Sequence, residues 1–256
     1  MRLLLSKPVG VTFVLRLQEN NKTTANNTKN RCIIQQNYWS PVDVSRYLQI
    51  RNFCDAHGVT LVAVTKGRTT GDVLALYEAG QRIFAENRVQ QLVERLSAFP
   101  HAADWHLIGH LQSNKVRLLP RQLKLIHSVD REKLFPQLNE WARQRQQPVE
   151  VLLQIRIARE ATKYGMSEEQ ARQLLLSPAL HVYPFCAVVG LMGMATLTDD
   201  SGQVRREFRR LRQLYEELRR YAPQINILSM GMSSDYLIAV EEGSTMVRIG
   251  SALFAG

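Results

Sequence analysis

The sequence predicts an α/β protein built as a single parallel (β/α)8 barrel. Past residue 43, eight short apolar runs alternate with helical patterns, and each pair is joined by a short loop. The eighth run ends a few residues before Gly256, which leaves no room for a second domain after the barrel. An open doubly wound sheet is the alternative, but the Gly-x-Gly-x-x-Gly that usually follows its first strand is absent.

The first element is a helix over 45–57, closed by Gly58, since glycine accepts the left-handed conformation of a helix C-terminus. Strand one is the apolar run 61–65. A helix over 72–79 stops at Gly80, strand 82–85 leads into a helix over 88–98, and 105–108 is the third strand. Ser113 opens a short helix to 119. Strand 123–128, a helix over 131–146 and a long β-branched strand over 149–157 follow. The helix 167–176 has Ser167 as N-cap, with Glu169 and Gln170 in its first turn. Strand 188–192, an arginine-rich helix over 204–221, strand 225–230, a short helix over 236–241 and strand 245–249 complete the set.

Composition narrows the function classes. Apolar residues make up 45% of the chain and charged residues 22%, as in ordinary globular proteins. No apolar run is long enough to span a membrane. The cysteines Cys32, Cys54 and Cys186 are odd in number and form no Cys-x-x-Cys pair, which predicts reduced thiols in a cytoplasmic protein. The formal net charge of +10 raises a nucleic-acid reading. Much of it sits on the helix bearing Arg205, Arg206, Arg209, Arg210, Arg212, Arg219 and Arg220, whose apolar positions recur at helical spacing. With no zinc finger, basic zipper or RNA-binding aromatic signature beside it, that face is expected to be solvated and nucleic acid is not an expected partner.

Residues 1–42 differ from the barrel segment 43–256. They hold one acidic residue, Glu19, against Arg2, Lys7, Arg16, Lys22, Lys29 and Arg31, and include an Asn-rich polar tract. The expectation is a disordered basic extension, with organelle targeting as its alternative.

Chemistry concentrates at three strand ends. Lys66 follows the first strand, and a buried strand-end lysine loses part of its ammonium solvation, which favours the nucleophilic free amine. The bland alternative is a lysine reaching out to solvent. Barrels of this kind usually build phosphate sites from the loops after strands seven and eight. Those loops read Gly231-Met232-Ser233-Ser234 and Arg248-Ile249-Gly250-Ser251, supplying glycines, hydroxyls, successive N–H groups and helix N-termini. A strand-end lysine and a phosphate site at one mouth suggest a phosphorylated carbonyl compound held as a Schiff base. Pyridoxal 5′-phosphate fits, as does the sugar-phosphate substrate of a lysine aldolase. Arg248 favours the cofactor, because a pyridine nitrogen needs a facing group and a guanidinium would keep it unprotonated. A barrel-mouth ion pair is the alternative role for Arg248.

Several motifs carry a family resemblance. They are Ala63-Val64-Thr65-Lys66, Glu86-Asn87-Arg88-Val89-Gln90, residues 105–115 from Trp105 to Lys115, Gly190-Leu191-Met192, Gly231-Met232-Ser233-Ser234-Asp235 and residues 243–250 ending in Arg248-Ile249-Gly250. In order and spacing, from about Val59 to Phe254, the chain resembles the pyridoxal phosphate homeostasis proteins, whose barrel is similar to that of alanine racemase without its second domain. Ala85 stands where the family usually has glycine.

The resemblance implies that Lys66 carries pyridoxal 5′-phosphate as a Schiff base, that Ser233, Gly250 and Ser251 hold the phosphate, and that Arg248 faces the ring nitrogen. Asn87, His106 and Met192 match positions around the pocket. It further implies a monomeric, non-catalytic carrier that keeps the free cofactor low and passes it to apo forms of cofactor-dependent enzymes. A racemase-like enzyme acting on amino acids is the alternative, but it needs a second acid–base group, and His106 and His110 are the nearest candidates. Their spacing falls across a strand-to-loop turn, so no metal pair is expected.

Overall fold

Asp43 starts the first helix, its carboxylate accepting the Arg46 N–H at 2.8 Å, and so opens α1 (Val44–Ala56). The helix ends as anticipated at Gly58, whose φ of 65° lets the Gly58 and Val59 N–H groups close on Asp55 and Cys54 carbonyls. Strand β1 (Thr60–Val64) follows. The computed structural model describes residues 42–99, 102–159, 164–176 and 178–254. The basic segment 1–41 lies outside the described residues, while Val42 forms an antiparallel bridge with Phe254.

Helix α2 (Thr70–Glu78) begins two residues earlier than its apolar pattern. Thr69 and Asp72 form a reciprocal capping box, with Asp72 N–H donating to Thr69 Oγ1 at 3.1 Å and Thr69 N–H donating to Asp72 Oδ2 at 2.8 Å. The chain continues through β2 (Ile83–Glu86), α3 (Val89–Ala98) and β3 (Asp104–Leu107). The helix expected from Ser113 is a 3-10 turn, Ser113–Leu118. After β4 (Leu123–Val129), the long helical pattern divides into a 3-10 turn, Glu132–Leu134, and α4 (Phe135–Gln144), with Pro136 in the first turn of α4. Proline lacks the N–H that would carry a continuous helix through this point.

Strand β5 (Val149–Ile155) precedes α5 (Glu168–Leu176). Ser167 caps α5 as expected, its hydroxyl accepting the Gln170 N–H while Gln170 Oε1 accepts the Ser167 N–H. Then come a 3-10 turn (Pro178–Val182), β6 (Cys186–Gly193), α6 (Ser201–Arg219), β7 (Ile227–Ser229), α7 (Tyr236–Glu241), β8 (Met246–Ile249) and a last turn, Ser251–Leu253. Strand β7 is shorter than its apolar run because Ser244 and Thr245 hydroxyls replace part of the ladder. Ser244 Oγ reaches the Met230 and Met246 carbonyls, and Thr245 Oγ1 accepts the Leu228 N–H at 2.7 Å.

The eight strands pair in parallel and in sequence order, and β8 returns to β1 with Thr60 to Ala63 opposite Met246 to Ile249. This is the (β/α)8 barrel. Two apolar layers hold it. The larger lies between strands and helices, where Trp105, Phe84, Leu107 and Phe208 are fully buried, and the smaller fills the barrel interior with Val62, Ala85, Leu125, Leu152, Met192 and Met246. Each buried Val, Leu, Met or Phe side chain among them contributes about 1.5–3 kcal/mol of transfer free energy.

Helix α6 buries the apolar stripe expected of it, but its arginine face is paired rather than merely solvated. Arg205 bonds Glu241 and Glu242, Arg209 bonds Glu242 at 3.0 Å, and Arg210 bonds Glu168. Cys54 and Cys186 are free thiols, and burial pushes Cys186 up to about 12, which suppresses its thiolate. Among the described residues no helix is long and apolar enough to cross a membrane.

Candidate functional site

Strand alternation decides which side chains enter the barrel mouth. Val62 faces inward on β1, alternation puts Val64 on the same side, and Lys66 follows two residues on, just past the strand end. Its side chain is exposed. Burial of the amine, the device anticipated from sequence, is therefore corrected. The last buried position is Thr65, and the chain turns outward through Gly67 at a φ of 72°. Lys66 stands at the open mouth, where a carbonyl compound can reach it.

The loops after β7 and β8 meet as expected. Ser233 Oγ accepts the N–H of Gly250 at 3.2 Å and that of Ala252 at 3.3 Å, so two backbone donors converge on one oxygen position. Convergent amides of this kind suit a phosphate oxygen. Helix dipoles contribute little here, contrary to expectation, because α7 has six residues and β8 leads only into a 3-10 turn. Gly250 lies against β1, where a Cβ would come 3.4 Å from Val64 Cβ, two residues before Lys66. Ser251 is exposed at the start of the last turn.

Below this cradle Arg248 is 3% exposed and makes no ion pair among the described residues. Its guanidinium donates to Ser229 O at 2.9 Å, Ser229 Oγ at 2.7 Å and Gly193 O at 3.1 Å, all uncharged oxygens. Desolvation lowers its pKa to about 10, so it remains a cation at neutral pH. The Asp235 carboxylate acts on it favourably from beyond salt-bridge distance.

Arg248 also orders a buried chain that sequence reasoning did not find. A guanidinium only donates, so Ser229 Oγ accepts from it, and since His127 Nδ1, 3.1 Å away, is the other partner of this buried hydroxyl among the described residues, that nitrogen is the acceptor for its proton. His127 consequently carries its proton on Nε2 and donates it to His106 Nδ1 at 3.0 Å. His106 is left protonated on Nε2 alone. Burial drives His106 down to about 3 and His127 well below the usual imidazole value, so both are neutral. Of the two proposed second bases, His106 has Nδ1 held by His127. The signal for His127 was in the strand, since it lies two residues past the inward-facing Leu125.

Met192 is fully buried and in register with Ser229, while Asn87 is exposed at the mouth. The Asn87 carbonyl occupies the space where a Cβ on Gly109 would fall, 1.9 Å away, so the β2 and β3 ends touch through backbone. His110, the other proposed base, donates its Nδ1–H to Asp130 at 2.9 Å and stacks on Tyr164 at 3.9 Å between ring centres. It lines a recess of about 280 Å³ with Asn87, Arg88 and Lys115, while a second recess of about 680 Å³ lies between the loops after β6 and β7. A buried cation bonded to uncharged oxygens, beside loop amides that converge on one oxygen, fits a phosphorylated pyridine aldehyde.

The family model of the alanine racemase N-terminal domain matches residues 45–256. The pyridoxal phosphate homeostasis protein of Haemophilus influenzae is 39% identical over 201 residues, covering 77% of this chain and 84% of its own. That of Vibrio alginolyticus is 35% identical over 226 residues, covering 86% and 96%. Among solved structures, PipY of Synechococcus elongatus with PLP bound matches at a TM-score of 0.74 and 33% identity, over 82% of this chain and 99% of that one. An alanine racemase from Clostridium difficile in complex with cycloserine reaches a TM-score of 0.70 at 13% identity, over 81% of this chain and 57% of that one, a likeness of fold alone.

Proposed function

The chain belongs to the pyridoxal phosphate homeostasis protein family, and from that premise we propose that it binds pyridoxal 5′-phosphate for intracellular homeostasis and delivery of that cofactor, with Lys66 as its covalent holder. The observation that carries the reading is the end of β8, where a buried cation, Arg248, stands two residues before Gly250, whose N–H converges with that of Ala252 on Ser233. Ser233, Ser251 and the Gly250 and Ala252 amides would hold the phosphate, Arg248 the ring nitrogen, and Asn87, His106 and Met192 the surrounding wall. The bound group supplies an aldehyde, with which a lysine amine condenses to C=N with loss of one water.

The role we assign is non-catalytic, as a cytoplasmic monomer whose recipients are apo forms of cofactor-dependent enzymes. Racemisation requires a proton acceptor on each side of the substrate carbon, and the burial that holds the pKa of His106 at about 3, with Nδ1 bonded to His127, makes it a poor one. The enzyme alternative rests on His110, which Asp130 orients at the mouth.

Adding pyridoxal 5′-phosphate to the wild-type chain is expected to raise a band at about 420 nm that Lys66→Ala abolishes. A band retained in the variant refutes the assignment of Lys66. Deuterium exchange at the α-carbon of an amino-acid panel separates carrier from enzyme, and exchange above the rate of the free cofactor refutes the non-catalytic role.

A further inference from the structure

The loop that bears Lys66 has few anchors of its own. Lys66, Gly67, Thr69 and Thr70 are exposed, and one backbone bond, from Arg68 N–H to the Thr65 carbonyl at 3.0 Å, closes the turn. Beneath it lie Glu86, at the end of β2 and 1% exposed, and Arg95 on α3, buried along most of its length. Their pairing is unusual. A guanidinium and a carboxylate this close ordinarily meet as a fork, with two parallel bonds. Here they share one contact of 3.5 Å between Arg95 NH2 and Glu86 Oε1, while Arg95 Nε and Glu86 Oε2 are buried without a hydrogen-bond partner.

The atoms of the pair that do find partners are drawn to the loop. Glu86 Oε1 accepts the Thr65 hydroxyl at 2.6 Å. Arg95 NH2 donates to the Arg68 carbonyl at 2.7 Å, and its NH1 donates to Thr70 Oγ1 at 3.2 Å. The pair therefore grips the chain on both sides of Lys66. An unsatisfied buried polar atom costs about 1–3 kcal/mol, more when charged, and two of them at one ion pair call for a compensating role.

We propose that Glu86 and Arg95 are positioning residues that hold Thr65 and Arg68 so that the Lys66 amine is presented to the barrel axis. The inference rests on Lys66 being the amine that captures the cofactor. It accounts for a feature of that lysine which burial does not supply, since an exposed four-carbon side chain on a glycine-containing turn would otherwise sample many directions. Capture would be slowed by loss of the grip even with the phosphate cradle and Arg248 untouched, because those lie on β7 and β8.

The test follows the growth of the absorbance at about 420 nm after mixing the full chain with pyridoxal 5′-phosphate, beside the affinity for pyridoxine 5′-phosphate, which carries an alcohol in place of the aldehyde. Thr65→Val, which removes only the hydroxyl, and Arg95→Met are each expected to slow capture roughly tenfold, with analogue affinity shifting less than about twofold. Thr65→Ser restores the wild-type rate, which a general loss of packing would not allow. Capture at the wild-type rate in Thr65→Val and Arg95→Met overturns the inference, and so does a parallel loss of analogue binding, which would mark collapse of the whole site. If the wild-type chain binds the analogue but never develops the band, the reading of Lys66 fails first and the grip loses its purpose with it.

Discussion

His106 and His127 are bonded ring to ring inside the barrel, Nδ1 to Nε2 at 3.0 Å, and neither imidazole holds a second proton. Unfolded histidine titrates near pH ~6.5. Because the folded values lie below that, the unfolded chain binds more protons between pH ~6.5 and the folded value of His106, about 3. Stability is therefore full above pH ~6.5 and is lost as the pH falls. At pH 5 the deficit from His106 alone is about 2 kcal/mol, which lowers Tm by roughly 4–8 °C in a chain of this size. Thermal melts at pH 7.5 and 5 check this, and His106→Gln should flatten the dependence. An equal slope in wild type and variant contradicts it.

The direction of that chain is set at its far end by Arg248. Arg248→Met removes the donor that occupies one lone pair of Ser229 Oγ and so favours its proton turning to His127. Wild-type nitrogen shifts should place both histidines in the Nε2–H form at pH 7. In the variant His127 should become a mixture of tautomers, since Ser229 Oγ can then accept as readily as donate. A single unchanged tautomer in the variant would show that Arg248 does not order the pair.

Much of the barrel was legible because its signals are local. Gly58 and Gly80 end helices at positive φ, Ser167 and Gln170 form the cap their spacing suggests, and strand alternation carries Lys66, Arg248 and Gly250 to one mouth. What escaped depends on side chains that meet across the fold. His127 and Ser229 are separated by 102 positions, and Thr65 and Glu86 by 21, so no local pattern marks either pair. The exposure of Lys66 escaped for a related reason. A hydrophobic run shows that a strand is buried but not how far past its end the packing continues.

Glycine substitutions separate close packing from backbone freedom. A Cβ on Gly190 would fall 2.0 Å from the Ile227 carbonyl oxygen, backbone against backbone, so β6 and β7 would have to part. Gly190→Ala is expected to cost about 3 kcal/mol or more. Gly58 has open space around its missing Cβ and is constrained only by its φ of 65°. Gly58→Ala should accordingly cost about 1–2 kcal/mol. Denaturant midpoints give the ranking, and a Gly190→Ala protein as stable as Gly58→Ala would contradict the close approach.

The arginine face of α6 bears on whether the +10 charge serves nucleic acid. Glu242 binds two of its guanidiniums at once, Arg205 at 2.9 Å and Arg209 at 3.0 Å, and is itself largely buried between them. A face made for phosphates would leave those donors open, whereas here they hold α6 to the end of α7. Wild-type retention on heparin or duplex DNA should therefore be weak near ~0.15 M salt, where the Debye length is about 8 Å. Glu242→Gln frees Arg209 and leaves Arg205 to Glu241 alone, and should shift elution to higher salt while costing about 1 kcal/mol of stability, as expected for partly exposed pairs. Strong wild-type retention that Glu242→Gln leaves unchanged would mean that arginines outside this pairing make a nucleic-acid surface.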